Sequence, residues 1–168
     1  MRLLAFVSCR RILPVCVLLS LTVQALATDT PMDRATLKGI TEVQVVVEPI
    51  VPEIERHGLT HSQIQADLEL RLKQSGINVV SSSPASLRVD IQLTRVMVFR
   101  VYAYSLKVAI HQPVRLDRAP RISHVSAPTW SVDDSGTIGT QRVRELRSRV
   151  TEIVNRFITA YREQNPMQ

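Results

Sequence analysis

The sequence is short of the residues on which several protein classes depend. Among its 168 residues there are two cysteines, Cys9 and Cys16, and both lie within residues 1–27. The rest of the chain therefore can form no disulfide, no thiolate metal site and no cysteine-based catalytic centre. Only five glycines are present, which excludes a collagen-like repeat.

Long apolar runs are also lacking, except near the N-terminus. Residues 12–23 are mostly apolar, but a helix that spans a bilayer needs roughly 20 apolar residues. Three arginines and no acidic residue accompany this run before residue 28, and Ala25-Leu26-Ala27 follows it. This order is that of a secretory signal peptide, so we predict cleavage after Ala27 and a periplasmic product. An uncleaved membrane anchor is the alternative.

Two other export signals match this segment poorly. Arg10-Arg11 is a twin-arginine pair, but the flanking Leu13-Pro14 does not fit that signal. Cys16 follows Leu13-Pro14-Val15, where a lipoprotein box has a small residue in place of Val15. Apolar residues also continue beyond Cys16, at the point where a lipoprotein would begin. The sequence therefore does not predict a lipid anchor.

The charge of the chain is less basic after residue 27 than the total indicates. The whole sequence has 21 basic and 15 acidic residues, for a net charge of +6. Three of the basic residues precede residue 28, so the rest has 21 − 3 = 18 basic residues and a net charge of 18 − 15 = +3. Export removes most nucleic-acid roles, so no nucleic-acid partner is predicted. With 45% apolar residues, the chain is long enough for one globular domain.

Hydrophobic periodicity divides the chain after residue 37 into strands and helices. A strand, a helix and a second strand in succession form a unit whose two strands should be parallel. The order β-α-β-β-β-β-α predicts an α+β fold, a two-layer sandwich in which a mixed sheet carries two helices on one face. The predicted strands are 42–48, 77–80, 87–98, 101–111 and 122–130, and the predicted helices run from Thr60 to Ser75 and over 143–161.

Other segments carry more local expectations. Residues 28–37 are polar and aperiodic, which predicts a flexible lead-in to a single domain over 38–168. Thr60-x-x-Gln63 predicts a capping box, and a slip in the alternation at Thr94-Arg95 predicts a β-bulge. The helix of the βαβ unit should bury a stripe that Leu70 widens. The other predicted core residues are Val43, Val45, Val47, Ile64, Leu68, Leu72, Val150, Ile153, Val154, Phe157 and Ile158.

Candidate catalytic residues lack the patterns that catalysis requires. Glu53, His57 and His61 are spaced by four residues, as zinc ligands on one helix face would be. The helical zinc-protease motif needs glutamate directly after the first histidine, and Gly58 occupies that position. Ser135 has no Gly-x-Ser-x-Gly motif around it. The sequence therefore predicts no catalytic residue, no metal site and no cofactor.

Residues 132–140 are rich in glycine, aspartate and serine, which predicts a loop between the last strand and the last helix. A glycine-rich loop before a helix can bind an anion, but the adjacent Asp133 and Asp134 would repel phosphate. The alternative is a structural turn at Gly136 and Gly139 with Thr140 as the helix cap. We favour the turn.

Arginines recur at seven-residue intervals near the C-terminus, at Arg142, Arg149 and Arg156. This spacing indicates a basic stripe that could contact an anionic lipid or cell-wall polymer, although such membrane contact should be weak. Glu145 and Glu152 each lie four residues before an arginine, so a solvated face with ion pairs is the favoured interpretation.

Several short segments of the chain form a recognisable pattern: Leu37-x-Gly39-Ile40, 43–48, Gly58-Leu59-Thr60, Gly76-Ile77-x-Val79, Tyr102-Ala103-Tyr104-Ser105, Thr129-Trp130 and Asn165-Pro166. In these segments the chain resembles a family of small exported bacterial proteins whose function is uncharacterised. The order of elements is also similar to periplasmic α/β modules such as the TolB N-terminal domain and the curli-secretion lipoproteins. Those modules mediate assembly and protein contacts, so the resemblance implies a role of that kind.

These observations together predict a non-catalytic interaction module of the periplasm. Pro128 marks strand 122–130 as a sheet edge, to which another chain can add a strand. Tyr102, Tyr104 and Trp130 would be aromatic anchors if they are exposed, and the alternative is that all three rings cover the sheet. The partner is an envelope protein or a second copy of the chain. The competing functions are a carrier of a small apolar ligand or lipid and a metal-dependent hydrolase.

Overall fold

The structure is a computed structural model that describes residues 29–97, 100–118 and 125–166. Its strands are β1 (Glu42–Val47), β2 (Asn78–Val79), β3 (Ser86–Val96), β4 (Val101–Val114) and β5 (Val125–Gly139). Its helices are α1 (Pro31–Ala35), α2 (Pro52–Glu55), α3 (His61–Gln74) and α4 (Leu146–Gln164), with a 3₁₀ helix at Thr140–Glu145.

The strands form one mixed sheet in the order β2-β1-β3-β4-β5. Strand β1 is parallel to both β2 and β3, whereas β4 is antiparallel to its two neighbours, β3 and β5. The long helices α3 and α4 pack on the sheet and contact each other. The predicted α+β class is therefore confirmed, and so is the parallel pairing of the two strands that flank α3.

One core lies between the sheet and the two long helices. All eleven residues predicted for this core are buried, as the alternation of β1 and the helical stripes require. Leu70 was expected to widen the stripe of α3, but this expectation is wrong because its side chain is exposed. Gly76 ends α3 with a φ of 79°, a conformation that glycine adopts without strain.

The N-terminus of α3 is capped differently from the prediction. Thr60 is the N-cap residue, but its side chain makes no capping hydrogen bond and its hydroxyl is buried without a partner among the described residues. Instead, Glu55 accepts a hydrogen bond from the backbone N–H of His61 at 3.2 Å. The predicted capping box is therefore absent, since a carboxylate from α2 takes over part of its role.

Residues 28–37 were expected to be flexible, but the described part of this segment is folded. Helix α1 begins after Thr30, which forms a capping box with Asp33, and Leu37 is completely buried. The helix was missed because five residues are too few for a periodic apolar stripe to appear.

No bulge is present at Thr94-Arg95, where the sequence predicted one. The register between β3 and β4 is unbroken from Ser86–His111 to Val96–Val101, so Arg95 pairs with Tyr102 on the core-facing side of the sheet. The alternation slips there because Arg95 lies at the end of the sheet, where its side chain is exposed. The irregularity instead lies between β4 and β5, where Thr129 is the extra residue.

Residues 132–139 belong to strand β5 and Thr140 begins the 3₁₀ helix, so the predicted loop over 132–140 is wrong. Strand β5 continues through Gly139 and pairs with β4 along its whole length. Val132 and Ile138 point into the core, and the ring of Tyr104 lies over Gly136. A side chain at this position would press on the Tyr104 ring, so packing favours glycine here, although the sequence indicates a turn. The predicted cap at Thr140 is also wrong, since Gly139 is the residue that precedes the 3₁₀ helix.

Gly136→Val is expected to destabilise the fold by about 1–3 kcal/mol, because a Cβ there would lie 3.1 Å from the Tyr104 hydroxyl oxygen and 3.2 Å from its Cε1. Gly139→Val is the matched control in the same strand, because no atom lies within 4 Å of its Cβ position. Urea unfolding of the two variants measures the difference. Equal stability of both variants would contradict the packing of Tyr104 on Gly136.

Candidate functional site

The three aromatic residues proposed as surface anchors are buried. Tyr102, Tyr104 and Trp130 are 2%, 6% and 1% exposed, because all three point from β4 and β5 toward the helices. The ring of Trp130 packs against Phe157 with 5.4 Å between ring centres. The three rings therefore cover the sheet, which was the alternative interpretation, and they are not available as anchors for a partner.

Strand β5 lies at the edge of the sheet, as the sequence predicted for 122–130, although residues 122–124 lie outside the described part. Its edge carries features that oppose strand addition. Pro128 lacks an N–H group, the bulge at Thr129 interrupts the ladder, and the charged Asp134 points toward the helices. The edge is therefore protected, and it is a weaker candidate for a partner than the sequence indicated.

Two of the three arginines in the predicted stripe are paired with distant acids, and Arg149 is the first. It lies 3.2 Å from the carboxylate of Asp134 and 5.6 Å from the ring centre of Tyr104. The Tyr104 hydroxyl donates to the same carboxylate at 3.2 Å. Burial and the negative charge of Asp134 raise the pKa of Tyr104 above its ordinary value. Arg149 therefore belongs to a structural cluster and not to a free basic surface.

Arg156 belongs to a second cluster around the buried carboxylate of Asp29. Arg34 donates two hydrogen bonds to this carboxylate at 2.8 and 2.9 Å, and Arg156 donates a third at 3.4 Å. The indole N–H of Trp130 donates to it at 2.9 Å. Burial alone would raise the pKa of Asp29, but the hydrogen bonds from Arg34 and Trp130 and the charges of both arginines outweigh it and lower the pKa. This cluster attaches the N-terminal segment to α4.

The two predicted helical ion pairs are absent among the described residues, since Arg149 pairs with Asp134, Arg156 with Asp29, and Glu145 with Arg142. Glu145 lies 2.7 Å from Arg142 and not beside Arg149. The hydrogen bonds from Arg142 lower the pKa of Glu145. The seven-residue stripe is also interrupted, because Arg142 lies in the 3₁₀ helix and not in α4. The three arginines therefore do not form one continuous surface.

Of the residues weighed for catalysis, Glu53 and His57 line the same cleft, whereas His61 and Ser135 are not part of its lining. The ring of His61 is within hydrogen-bond distance of the Val47 carbonyl oxygen, at 3.0 Å. Ser135 lies on β5 opposite Ser105, on the exposed face of the sheet. Within residues 29–97, 100–118 and 125–166, no three histidine, cysteine, aspartate or glutamate side chains cluster as a metal site requires.

A basic cleft lies at the end of the sheet where β3 ends and β4 begins. We call it the arginine cleft and define it by Arg56, Arg95, Arg100 and Arg142. It has two adjoining parts of about 500 and 380 Å³ that share Arg95 and Thr140. The remaining lining residues are Glu53, His57, Tyr102, Gly139 and Gln141.

Backbone and side-chain contacts hold the walls of the arginine cleft together. The Thr140 hydroxyl donates to the carbonyl oxygen of Arg100 at 2.9 Å, which joins the 3₁₀ helix to the turn before β4. The Tyr102 hydroxyl donates to Glu53 at 2.8 Å and so joins β4 to α2. This hydrogen bond, together with burial, raises the pKa of Tyr102. The buried tyrosine therefore positions one wall of the cleft.

The arginine cleft has an excess of positive charge. Its lining contains four arginines and one acid, Glu53, which gives 4 − 1 = +3 without the histidine. Glu53 lies 3.9 Å from Arg95, and Glu145, which is outside the lining, lies 2.7 Å from Arg142. Arg56 and Arg100 have no ion-pair partner among the described residues. Three of the four arginines of α4 are held in ion pairs, whereas in the described part of the chain the arginine cleft keeps these two guanidinium groups without one. Such a surface attracts anions.

The sequence did not predict the arginine cleft, because its arginines come from four separate segments. Arg95 was visible only as an interruption of the apolar alternation in β3, and Arg142 as a member of the helical stripe. Arg56 and Arg100 lie in turns and follow no pattern. One feature of the sequence did point to the cleft. Arg95 is a basic residue at a core-facing position near a strand end, where a charged side chain must reach solvent.

Several solved structures resemble the chain distantly, and two of them are described here. The chain is similar to a minor lipoprotein from Acinetobacter baumannii, with 10% identity, a TM-score of 0.35, and 70% of this chain and 92% of that chain covered. It is also similar to a PelC dodecamer from Paraburkholderia phytofirmans, with 10% identity, a TM-score of 0.39, and 80% and 92% covered. No protein-family profile and no curated protein matches the chain. Scores this low carry no argument about function.

Proposed function

We propose that this chain is a non-catalytic interaction module of the bacterial envelope that binds an anionic partner at the arginine cleft. The observation that carries the proposal is the convergence of four arginines, with one acid, on a single cleft. Arg95 and Arg142 have the acidic partners Glu53 and Glu145, just as three arginines of α4 are held by Asp29, Asp67 and Asp134. Arg56 and Arg100 have no such partner among the described residues. The cleft therefore has guanidinium groups, those of Arg56 and Arg100, that are free to bind a partner.

The chemistry of the arginine cleft supports binding over catalysis. A guanidinium group stays protonated at any physiological pH, so it binds anions but does not exchange protons. Glu53 already accepts the hydrogen bond of Tyr102, and the ring of His57 packs edge-on against the same tyrosine with 6.0 Å between ring centres. These two groups are the only carboxylate and the only imidazole among the described residues of the lining. A binding role uses all of these features.

Arg56→Gln/Arg100→Gln is expected to weaken the binding of polyanions by about tenfold or more, because it removes one unpaired guanidinium from each part of the cleft. Arg115→Gln/Arg118→Gln is the matched control, since both residues are exposed and lie beyond the opposite end of β4. Each double variant removes the same charge. Calorimetric titration with polyphosphate and with poly-glutamate measures the affinities.

The control variant should retain nearly the affinity of the unchanged protein. Equal losses in the two double variants would show that binding follows net charge and not the arginine cleft. If neither polyanion binds the unchanged protein, the proposed function is wrong.

The proposed location depends on residues 1–27, which lie outside the described part of the chain. The basic start, the apolar run and Ala25-Leu26-Ala27 support export and cleavage after Ala27. In the described residues, no helix is both long and apolar enough to cross a bilayer. The expected intact mass of the exported protein is that of residues 28–168. A mass that retains Arg10 and Arg11, or that includes lipid on Cys16, would contradict this processing.

A further inference from the structure

We propose that the anionic partner of the arginine cleft is a bilayer surface that contains anionic phospholipid, and that Met97 contacts the lipid beside the cleft. This proposal rests on the proposed function and names the partner of the same cleft. Two features support it: the arrangement of the cleft arginines at one end of the molecule, and an exposed apolar side chain next to them.

The first feature is the chemistry and placement of the arginines. A guanidinium group presents several N–H donors in one plane and binds phosphate oxygens in pairs. Arg56 follows α2, Arg95 is near the end of β3, Arg100 directly precedes β4, and Arg142 lies in the 3₁₀ helix. Because all four segments meet at the same end of the sheet, a plane of headgroups can contact several arginines at once. An anionic bilayer provides such a plane.

The second feature is Met97, which directly follows β3 and is 76% exposed. It is two residues from Arg95, so an apolar side chain and the cleft arginines lie at the same end of the molecule. Peripheral membrane proteins combine apolar residues that enter the headgroup region with basic residues that bind anionic headgroups. The described surface has another exposed methionine, Met32 at 81%, but it lies in α1, far along the chain from the cleft segments. Met32 therefore serves as a control.

Co-sedimentation with vesicles tests the proposal. The full exported protein is mixed with vesicles of phosphatidylcholine alone, or of an equimolar mixture of phosphatidylcholine and phosphatidylglycerol. We expect binding to the mixed vesicles and little binding to phosphatidylcholine. Arg56→Gln/Arg100→Gln should bind the mixed vesicles about thirtyfold more weakly, whereas Arg115→Gln/Arg118→Gln should bind them nearly as well as the unchanged protein.

The methionine variants test the apolar contact separately. Met97→Ser should weaken binding to the mixed vesicles several-fold, and Met32→Ser should leave it unchanged. Equal binding by the two methionine variants would overturn the role of Met97. Competition with inorganic phosphate tests whether the cleft binds the phosphate of a lipid headgroup or free phosphate. Release of the protein from the vesicles at low millimolar phosphate would mean that the cleft binds free phosphate and not the bilayer.

The outcomes also separate this proposal from the proposed function. If the mixed vesicles do not bind but polyphosphate or poly-glutamate binds in a way that depends on Arg56 and Arg100, the bilayer assignment is wrong and the proposed function stands. Preferential binding of poly-glutamate would identify an acidic polypeptide as the partner. If neither vesicles nor polyanions depend on the cleft arginines, both proposals are wrong.

Discussion

Val154→Asp is expected to prevent folding. Val154 is completely buried in the core between α4 and the sheet, and it has no basic neighbour there to pair with a carboxylate among the described core residues. An unpaired buried charge costs several kcal/mol, whereas a domain of this size is stable by only about 5–15 kcal/mol. Circular dichroism should show no cooperative thermal unfolding.

Asn155→Asp is the matched control, since it introduces the same side chain at the next position. Asn155 is exposed, and its side-chain oxygen accepts a hydrogen bond from Arg71 at 2.8 Å. An aspartate there gains an ion pair, so stability should change by less than about 0.5 kcal/mol. A normal melting transition for Val154→Asp would mean that α4 buries a different face.

Asp29→Asn is expected to destabilise the fold by about 1–3 kcal/mol, because it removes the charge that Arg34 and Arg156 share while leaving the site buried. The asparagine oxygen can still accept the hydrogen bond from Trp130. The loss of stability therefore reflects mainly the weakened interactions with the two arginines. The arginines are partly exposed, and solvent screening keeps the loss below that of a fully buried ion pair. Urea unfolding at neutral pH gives the difference in free energy.

Asp133→Asn provides the control for this substitution. Asp133 lies 3.9 Å from Lys107, and both side chains are about half exposed. Its loss should cost less than about 0.5 kcal/mol. Similar losses for Asp29→Asn and Asp133→Asn would contradict a stabilising role of the buried carboxylate.

The pH dependence of Asp29→Asn follows from the lowered pKa of Asp29. A carboxylate whose pKa is lower in the folded state contributes stability that is fully present above the pKa of the unfolded chain. This stability is lost as the pH falls through the lower pKa of the folded state. The difference between the unchanged protein and Asp29→Asn should therefore be constant near neutral pH and shrink in acid, below the usual range of an aspartate pKa.

Much of the fold could be predicted from the sequence, because each main element has its own periodicity. The alternation of Val43, Val45 and Val47 indicates β1, and the apolar steps of α3 and α4 indicate the helices that cover it. The parallel pairing followed from the order of strand, helix and strand. These features depend on residues that are close in sequence, so a local pattern is sufficient.

The errors in the fold have a common physical cause, which is packing between distant segments. Gly136 indicates a turn in isolation, but its lack of a side chain makes room for the ring of Tyr104 from β4. Helix α1 is stabilised by contacts that Asp29 makes with α4, 127 residues away along the chain. No local pattern contains such contacts.

The candidate site was harder to predict for the same reason. Only Arg149 and Arg156 of the predicted stripe lie in α4, and Asp134 and Asp29 pair with them from elsewhere in the chain, while Arg142 pairs with Glu145. Which arginines remain free is decided by tertiary pairing. The arginine cleft becomes visible only when β3, β4 and the 3₁₀ helix are brought together.

The most direct test of the central claim is a nuclear magnetic resonance titration of the ¹⁵N-labelled exported protein with inorganic tripolyphosphate. If the arginine cleft is the binding surface, amide shifts should be concentrated at Arg56, Arg100, Thr140 and Gln141 and should saturate. Shifts of equal size at Arg115 and Arg118, or no saturable shifts at the cleft, would contradict the account.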